Sequence, residues 1–101
     1  MNKLSLVKYA HDSESGLLHY VIFEGDVVVL SLAKSLKVNY INSNGTLDVS
    51  FDIESNKLNP VRIEVVKDID YVKKVYNYAL EIDNAYFKDG YENLFALKFT
   101  K

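Results

Sequence analysis

Two serine hydroxyls and two lysine ammonium groups fall within seven residues, at Ser31, Lys34, Ser35 and Lys37. Hydroxyls donate hydrogen bonds and ammonium groups add positive charge, so the set suits an anionic phosphate. The elements around it matter as much. The β-branched run Val27, Val28, Val29 reads as a buried strand that ends at Leu30 and Ser31. A short helical pattern follows, with Leu36, Tyr40 and Ile41 on one side, and Asn44-Gly45 closes it. A strand therefore delivers the chain into a helix N-terminus, whose orphan N–H groups and positive dipole end favour an anion. The plainer alternative is that Ser35 only caps the helix and the lysines are solvated.

Other chemistry is weaker. Ser31-Leu32-Ala33-Lys34 fits the Ser-x-x-Lys of penicillin-binding enzymes, and Tyr40-Ile41-Asn42 mimics a second motif of some of them. The Lys-Thr-Gly type of strand those enzymes need is missing from the sequence, and their scaffold is much larger. His11 and His19 are the two histidines, without His-x-x-x-His spacing, so no metal site is expected from them and neighbours such as Asp12 or Glu14. With no cysteine, disulfides, thiolate metal sites and a cysteine nucleophile are excluded. Asn44-Gly45-Thr46 has the form of a glycosylation acceptor but reads as a turn, since no signal peptide is recognised in residues 1–10.

The chain has 101 residues, 49% of them hydrophobic and 26% charged, which fits one globular domain over residues 1–101. Its formal net charge of −2 argues against a nucleic-acid partner bound through a broad basic footprint. No apolar run reaches membrane-spanning length, so no membrane partner is expected and the address is read as cytoplasmic. There is no repeat, low-complexity tract or linker.

The elements that must position the corner are mostly strands. Residues 4–10, 17–23 and 27–32 read as three strands, with residues 11–16 a polar turn and Glu24-Gly25-Asp26 a tight hairpin. After the helix, residues 46–53 alternate, with Leu47, Val49, Phe51 and Ile53 on one face and Asp48, Ser50 and Asp52 on the other. Residues 54–59 form a loop that Pro60 ends, and residues 61–67 are the next strand. Asp68 or Asp70 caps a helix over residues 71–83, with Val72, Val75, Tyr76, Ala79 and Leu80 in one stripe. A polar connector over residues 84–90 leads to a last strand, 93–100, with Phe95, Leu97 and Phe99 on one side. The result is a mainly β chain of order βββαββαβ, whose hairpins favour antiparallel pairing and whose six strands can close to remove bare edges.

This order, together with the corner, resembles the FMN-binding split barrel of the pyridoxamine 5′-phosphate oxidase-like superfamily. Ser31 matches the hydroxyl that ends the family's third strand, Ser35-Leu36-Lys37 its helix start, and residues 37–45 (KVNYINSNG) its helix, with Gly where the family prefers Pro. Residues 46–53 match the strand after it, and 61–67 the next strand, before Asp68 and its amphipathic helix. The resemblance spans about residues 17–101 and implies a six-stranded antiparallel split β-barrel of Greek-key type with two α-helices. It also implies FMN as cofactor, held by His19, Ser31, Lys34, Ser35 and Lys37 in a cleft between the two chains of a homodimer. His19, or Tyr20 if the register slips, stands where the family's oxidases carry an arginine, and Leu36 replaces the arginine beside the family lysine. No basic C-terminal segment like that of the vitamin B6 oxidases follows the last strand. The expected activity is therefore that of a small FMN-dependent oxidoreductase with no substrate, electron donor or catalytic residue assigned. The alternative is a cofactor-free split-barrel dimer acting as a binding or interaction module. The tyrosines at 71, 76, 78, 86 and 91 are read as packing residues, or alternatively as a dimer interface.

Overall fold

The computed structural model describes residues 5–12, 14–85 and 87–100. Leu4, the expected first residue of the first strand, and Tyr86 lie outside these, as do Ser13 and Lys101. Along the chain run β1 (Leu6–His11), β2 (Glu14–Phe23), β3 (Asp26–Leu32), α1 (Leu36–Asn44), β4 (Thr46–Ser50), β5 (Asn59–Val66), α2 (Ile69–Glu81) and β6 (Leu94–Thr100). The strands pair antiparallel and close into a barrel in the order β1-β2-β3-β6-β5-β4, with β4 returning to β1. The expected mainly β fold of order βββαββαβ is the observed one.

The period-2 side-chain pattern of the strands divides the apolar residues between two cores. Val7, Tyr9, Leu18, Val29, Leu47, Val49, Ile63, Leu97 and Phe99 fill the barrel, and α1 seals it with Val38 and Ile41. The outer face of the sheet carries Val21, Val28, Leu94 and Ala96, which bury against Val72, Val75, Tyr76 and Ala79 of α2. β6 serves both cores, so Leu94 and Ala96 are buried as well as Leu97 and Phe99.

Local chemistry sets the ends of the elements. Ser35 caps α1 by accepting from the Val38 N–H, and Gly45 ends the helix at φ 76°, a left-handed conformation glycine adopts without steric cost. Asp68 caps α2 by accepting from the Asp70 N–H, which starts that helix two residues earlier than the sequence pattern suggests. The buried side of α1 is Val38 and Ile41, whereas Leu36 is 63% exposed. Leu80 likewise lies on the exposed side of α2.

Strand β4 stops at Ser50, short of the expected Ile53. There Ser50 Oγ accepts from the Asp52 N–H and donates to the Asp52 carbonyl, and Asp52 Oδ1 accepts from the Glu54 N–H. These side-chain bonds give the backbone an alternative to the sheet ladder. Phe51 and Ile53 consequently lie outside the strand and exposed. Pro60 falls inside β5, near the strand start, where a missing N–H donor is tolerated. The β1–β2 turn is tighter than the expected stretch from 11 to 16, because both strands extend into it and pair His11 with Glu14.

Candidate functional site

The barrel is split beside β2. Hydrogen-bonded pairing between β2 and β3 runs from Phe23↔Asp26 to Tyr20↔Val29 and ends there. Past that point β2 keeps its pairing with β1, and β3 keeps its pairing with β6. A cavity of about 260 Å³ occupies the gap. Its walls include Leu17, Leu18 and His19 of β2, residues 29–32 of β3, Ser35 and Lys37 at the start of α1, Tyr9 of β1, and Phe87.

Four of the five residues expected to form a site, His19, Ser31, Ser35 and Lys37, meet on this wall. Lys34 does not; it is exposed in the turn between β3 and α1 and lies outside the lining. Ser31 is buried, and its Oγ lies 3.1 Å from Ser35 Oγ. Ser35 Oγ also accepts from the Val38 N–H at 3.3 Å. Two hydroxyls carry two protons, and their mutual bond uses one. The pair therefore keeps one O–H to offer a ligand. The N–H groups of Leu36 and Lys37 open α1 and have no intrahelical acceptor. Lys37 Nζ lies 5.6 Å from the centroid of the Tyr9 ring, a cation–π contact at the cavity wall.

His19 is anchored from the far end of the chain. Its Nε2 is hydrogen-bonded to Asn84 Oδ1, in the connector after α2. Asn84 Nδ2 donates to the Tyr20 carbonyl at 3.4 Å. With the amide nitrogen committed to that carbonyl, the amide oxygen faces the imidazole, and Nε2 is the donor. The same connector brings Phe87 to the cavity. Its later part is held by the Gly90 N–H donating to Tyr76 Oη at 2.9 Å.

Tyr9 is the residue that sequence reasoning missed at the heart of the site. Its hydroxyl donates to Glu14 Oε1 at 3.1 Å. Burial pushes its phenol above the ordinary tyrosine value, and the hydrogen bond to Glu14 and that carboxylate's charge push it further. The alternation Val7, Tyr9, His11 was the available signal, since it sends all three to one face of β1. His11, read from the sequence as a turn residue, is in fact buried. Among the described residues no group of three or more His, Asp or Glu side chains gathers to hold a metal ion.

No protein-family model matches the chain, and no curated protein does. Among solved structures it is similar to a protein from Listeria innocua described as a "Putative Pyridoxamine 5'-phosphate oxidase". The TM-score is 0.64 at 8% sequence identity, over 98% of this chain and 83% of the other. At that identity the likeness is one of fold: the chain shares its six-stranded barrel architecture with that protein.

Proposed function

We propose that this chain binds FMN in the cavity between β2 and β3 and serves as a small flavin-dependent oxidoreductase. One observation carries the reading. Ser31, Ser35, Lys37 and the N-terminus of α1 converge on one cavity that also has apolar walls, from Leu17, Leu18, Val29 and Phe87. Hydroxyls, helix N–H groups and an ammonium group are the donors a phosphate needs. Apolar side chains suit a flat ring system, and ligand sites combine the two in this way. The name given to the Listeria innocua structure supports the same reading.

When bound, the flavin would supply the hydride or electron transfer. The chain's own residues bind and orient. Ser31 and Ser35 donate the spare hydroxyl proton, Lys37 provides charge, and His19, held by Asn84, stands on the same cavity wall. Phe87 and the β2 leucines keep water from the ring. Each hydrogen bond to a charged group is worth roughly 1.5–3 kcal/mol.

A second reading, a cofactor-free dimeric binding module, is favoured by the modest volume of about 260 Å³, against roughly 300–1,000 Å³ for small-molecule sites. The visible absorption spectrum of the purified protein, before and after adding FMN, separates the two. The flavin reading expects yellow protein, or uptake of added FMN, and flavin fluorescence in the heat-released supernatant. Colourless protein that takes up no FMN leaves the second reading.

A further inference from the structure

His11 has no role in the site described above, yet its burial calls for an account. It is 6% exposed, and neither ring nitrogen has a hydrogen bond among the described residues. Buried polar groups left in this way cost stability, so native proteins seldom keep them without a use. The ring is stacked between Tyr9, at 5.9 Å and 21°, and Tyr40, at 4.9 Å and 30°. Its Nε2 lies 3.5 Å from Glu14 Oε1. That same oxygen accepts the hydroxyl of Tyr9 at 3.1 Å. One carboxylate oxygen thus faces two claimants, a buried imidazole and a residue of the cavity wall.

We infer that His11, Glu14 and Tyr9 form a proton-sensitive latch that regulates the cavity between β2 and β3. With His11 neutral, Glu14 holds the Tyr9 hydroxyl and leaves a negative charge behind the cavity wall. Proton uptake turns Nε2–H into a charged donor, and Glu14 is the acceptor nearest to it. The two tyrosine faces stabilise the imidazolium through their ring quadrupoles. Glu14 then accepts from His11 as well, its charge is neutralised, and its hold on the Tyr9 hydroxyl weakens. An anion in the cavity gains from the lost negative charge. The titratable groups facing His11 are Tyr9 from β1, Glu14 from β2 and Tyr40 from α1, with Asp12 in the adjoining turn. Lys37 joins the stack through the Tyr9 ring. Two carboxylates and one ammonium group therefore surround the latch.

The regulatory part rests on the anion-binding reading of the cavity, so the test has two arms. The first uses the unliganded protein, with the ring protons of His11 and Tyr9 followed by NMR from about pH 8 to about pH 5.5, the range in which histidine changes charge. The Tyr9 signals are expected to move along the His11 titration, and to stop doing so in Glu14→Gln. Tyr9 signals that ignore the His11 titration, or a coupling that survives Glu14→Gln, overturn the latch. Glu14 is 35% exposed, so this variant can be made without opening the core. The second arm measures FMN affinity by flavin fluorescence at about pH 8 and about pH 6, in wild type and His11→Gln. A severalfold gain at the lower pH is expected in wild type and a smaller one in the variant, which lacks the His11 imidazole. Equal gains in the two proteins overturn the regulation and leave FMN binding intact. Failure of both proteins to take up FMN overturns the flavin reading, while the first arm still decides the latch.

Discussion

Lys37 does two things at once. It lines the cavity, and it rests on the Tyr9 ring at 5.6 Å. Such a contact contributes about 0.5–1 kcal/mol at an exposed position, so Lys37→Ala is expected to change stability little. If the ammonium group reads phosphate, the same variant weakens FMN by roughly 1.5–3 kcal/mol, about ten- to a hundredfold. Riboflavin, which lacks the phosphate, should lose far less. Parallel titrations by flavin fluorescence check this, and equal losses for both ligands would remove Lys37 from the phosphate site. Tyr9 carries a pH prediction of known sign. Burial first, then the hydrogen bond and charge of Glu14, raise its phenol above the ordinary value. The folded state therefore favours the protonated phenol. This stability is fully present below the unfolded tyrosine value of about 10 and is lost as pH rises through the higher folded value. Urea denaturation at stepped alkaline pH should show the loss, and Tyr9→Phe should blunt it. Tyr71 adds to the loss, its phenol raised chiefly by burial, with Lys98 opposing and Asp26, Glu24 and Glu64 adding to the rise. A Tyr9→Phe protein that loses stability as steeply as wild type would contradict the assignment.

The β1–β2 hairpin depends on a residue with no side chain. Tyr9 stands opposite Gly16, and a Cβ there would meet Tyr9 Cε1 at 3.2 Å and its hydroxyl oxygen at 3.4 Å. The ring is held on one side by Lys37 and at its tip by Glu14, so it has little room to retreat. Gly16→Val should therefore cost about 1–3 kcal/mol through overpacking. It should also push Tyr9 towards the cavity and reduce FMN uptake. Ser15→Val, at an exposed position of the same strand, is the control. A Gly16→Val protein as stable to urea as that control would show that the glycine is not reserved for the ring. α1 depends on its caps in a similar way. A nine-residue helix is too short to be stable alone, so Ser35, Gly45 and the burial of Val38 and Ile41 must hold it together.

At the scale of the whole molecule, the mouth of the cavity is flanked by apolar surface. Leu17 is 51% exposed and Leu32 52% exposed, and both line the cavity; Leu36, at the start of α1, is 63% exposed. Large apolar side chains clustered near a binding cleft often mark an interaction surface. Tyr71 and Tyr78 pack on Phe23, and Tyr76 on Tyr91, so these tyrosines are engaged within the chain. The leucines are thus the better candidates for contact with a second copy. The expected assembly is a two-fold homodimer in which the partner covers the lip and enlarges the cleft. Light scattering at micromolar concentration should give twice the chain mass. Leu32→Asp should return a monomer and weaken FMN at the same time. A wild-type monomer at that concentration would overturn the dimer.

What the sequence determined by itself was the order of elements and several of their ends. Period-2 and 3.6-residue patterns, a serine and an aspartate at helix starts and a glycine at a helix end are local signals. A chain of 101 residues cannot hide them. The hydroxyl and ammonium corner was equally legible, because Ser31, Ser35 and Lys37 lie close in sequence across one strand-to-helix turn. Only the tertiary structure decided which groups complete the site. His19 meets Asn84 across 65 positions, and Phe87 reaches the cavity from the same connector. Tyr9 and His11 face inward only because β1 pairs with both β2 and β4. The gap that becomes the cavity exists because β2–β3 pairing ends at Tyr20↔Val29. Such register and closure are properties of the whole barrel, set by packing between segments far apart in the chain, and no local pattern encodes them.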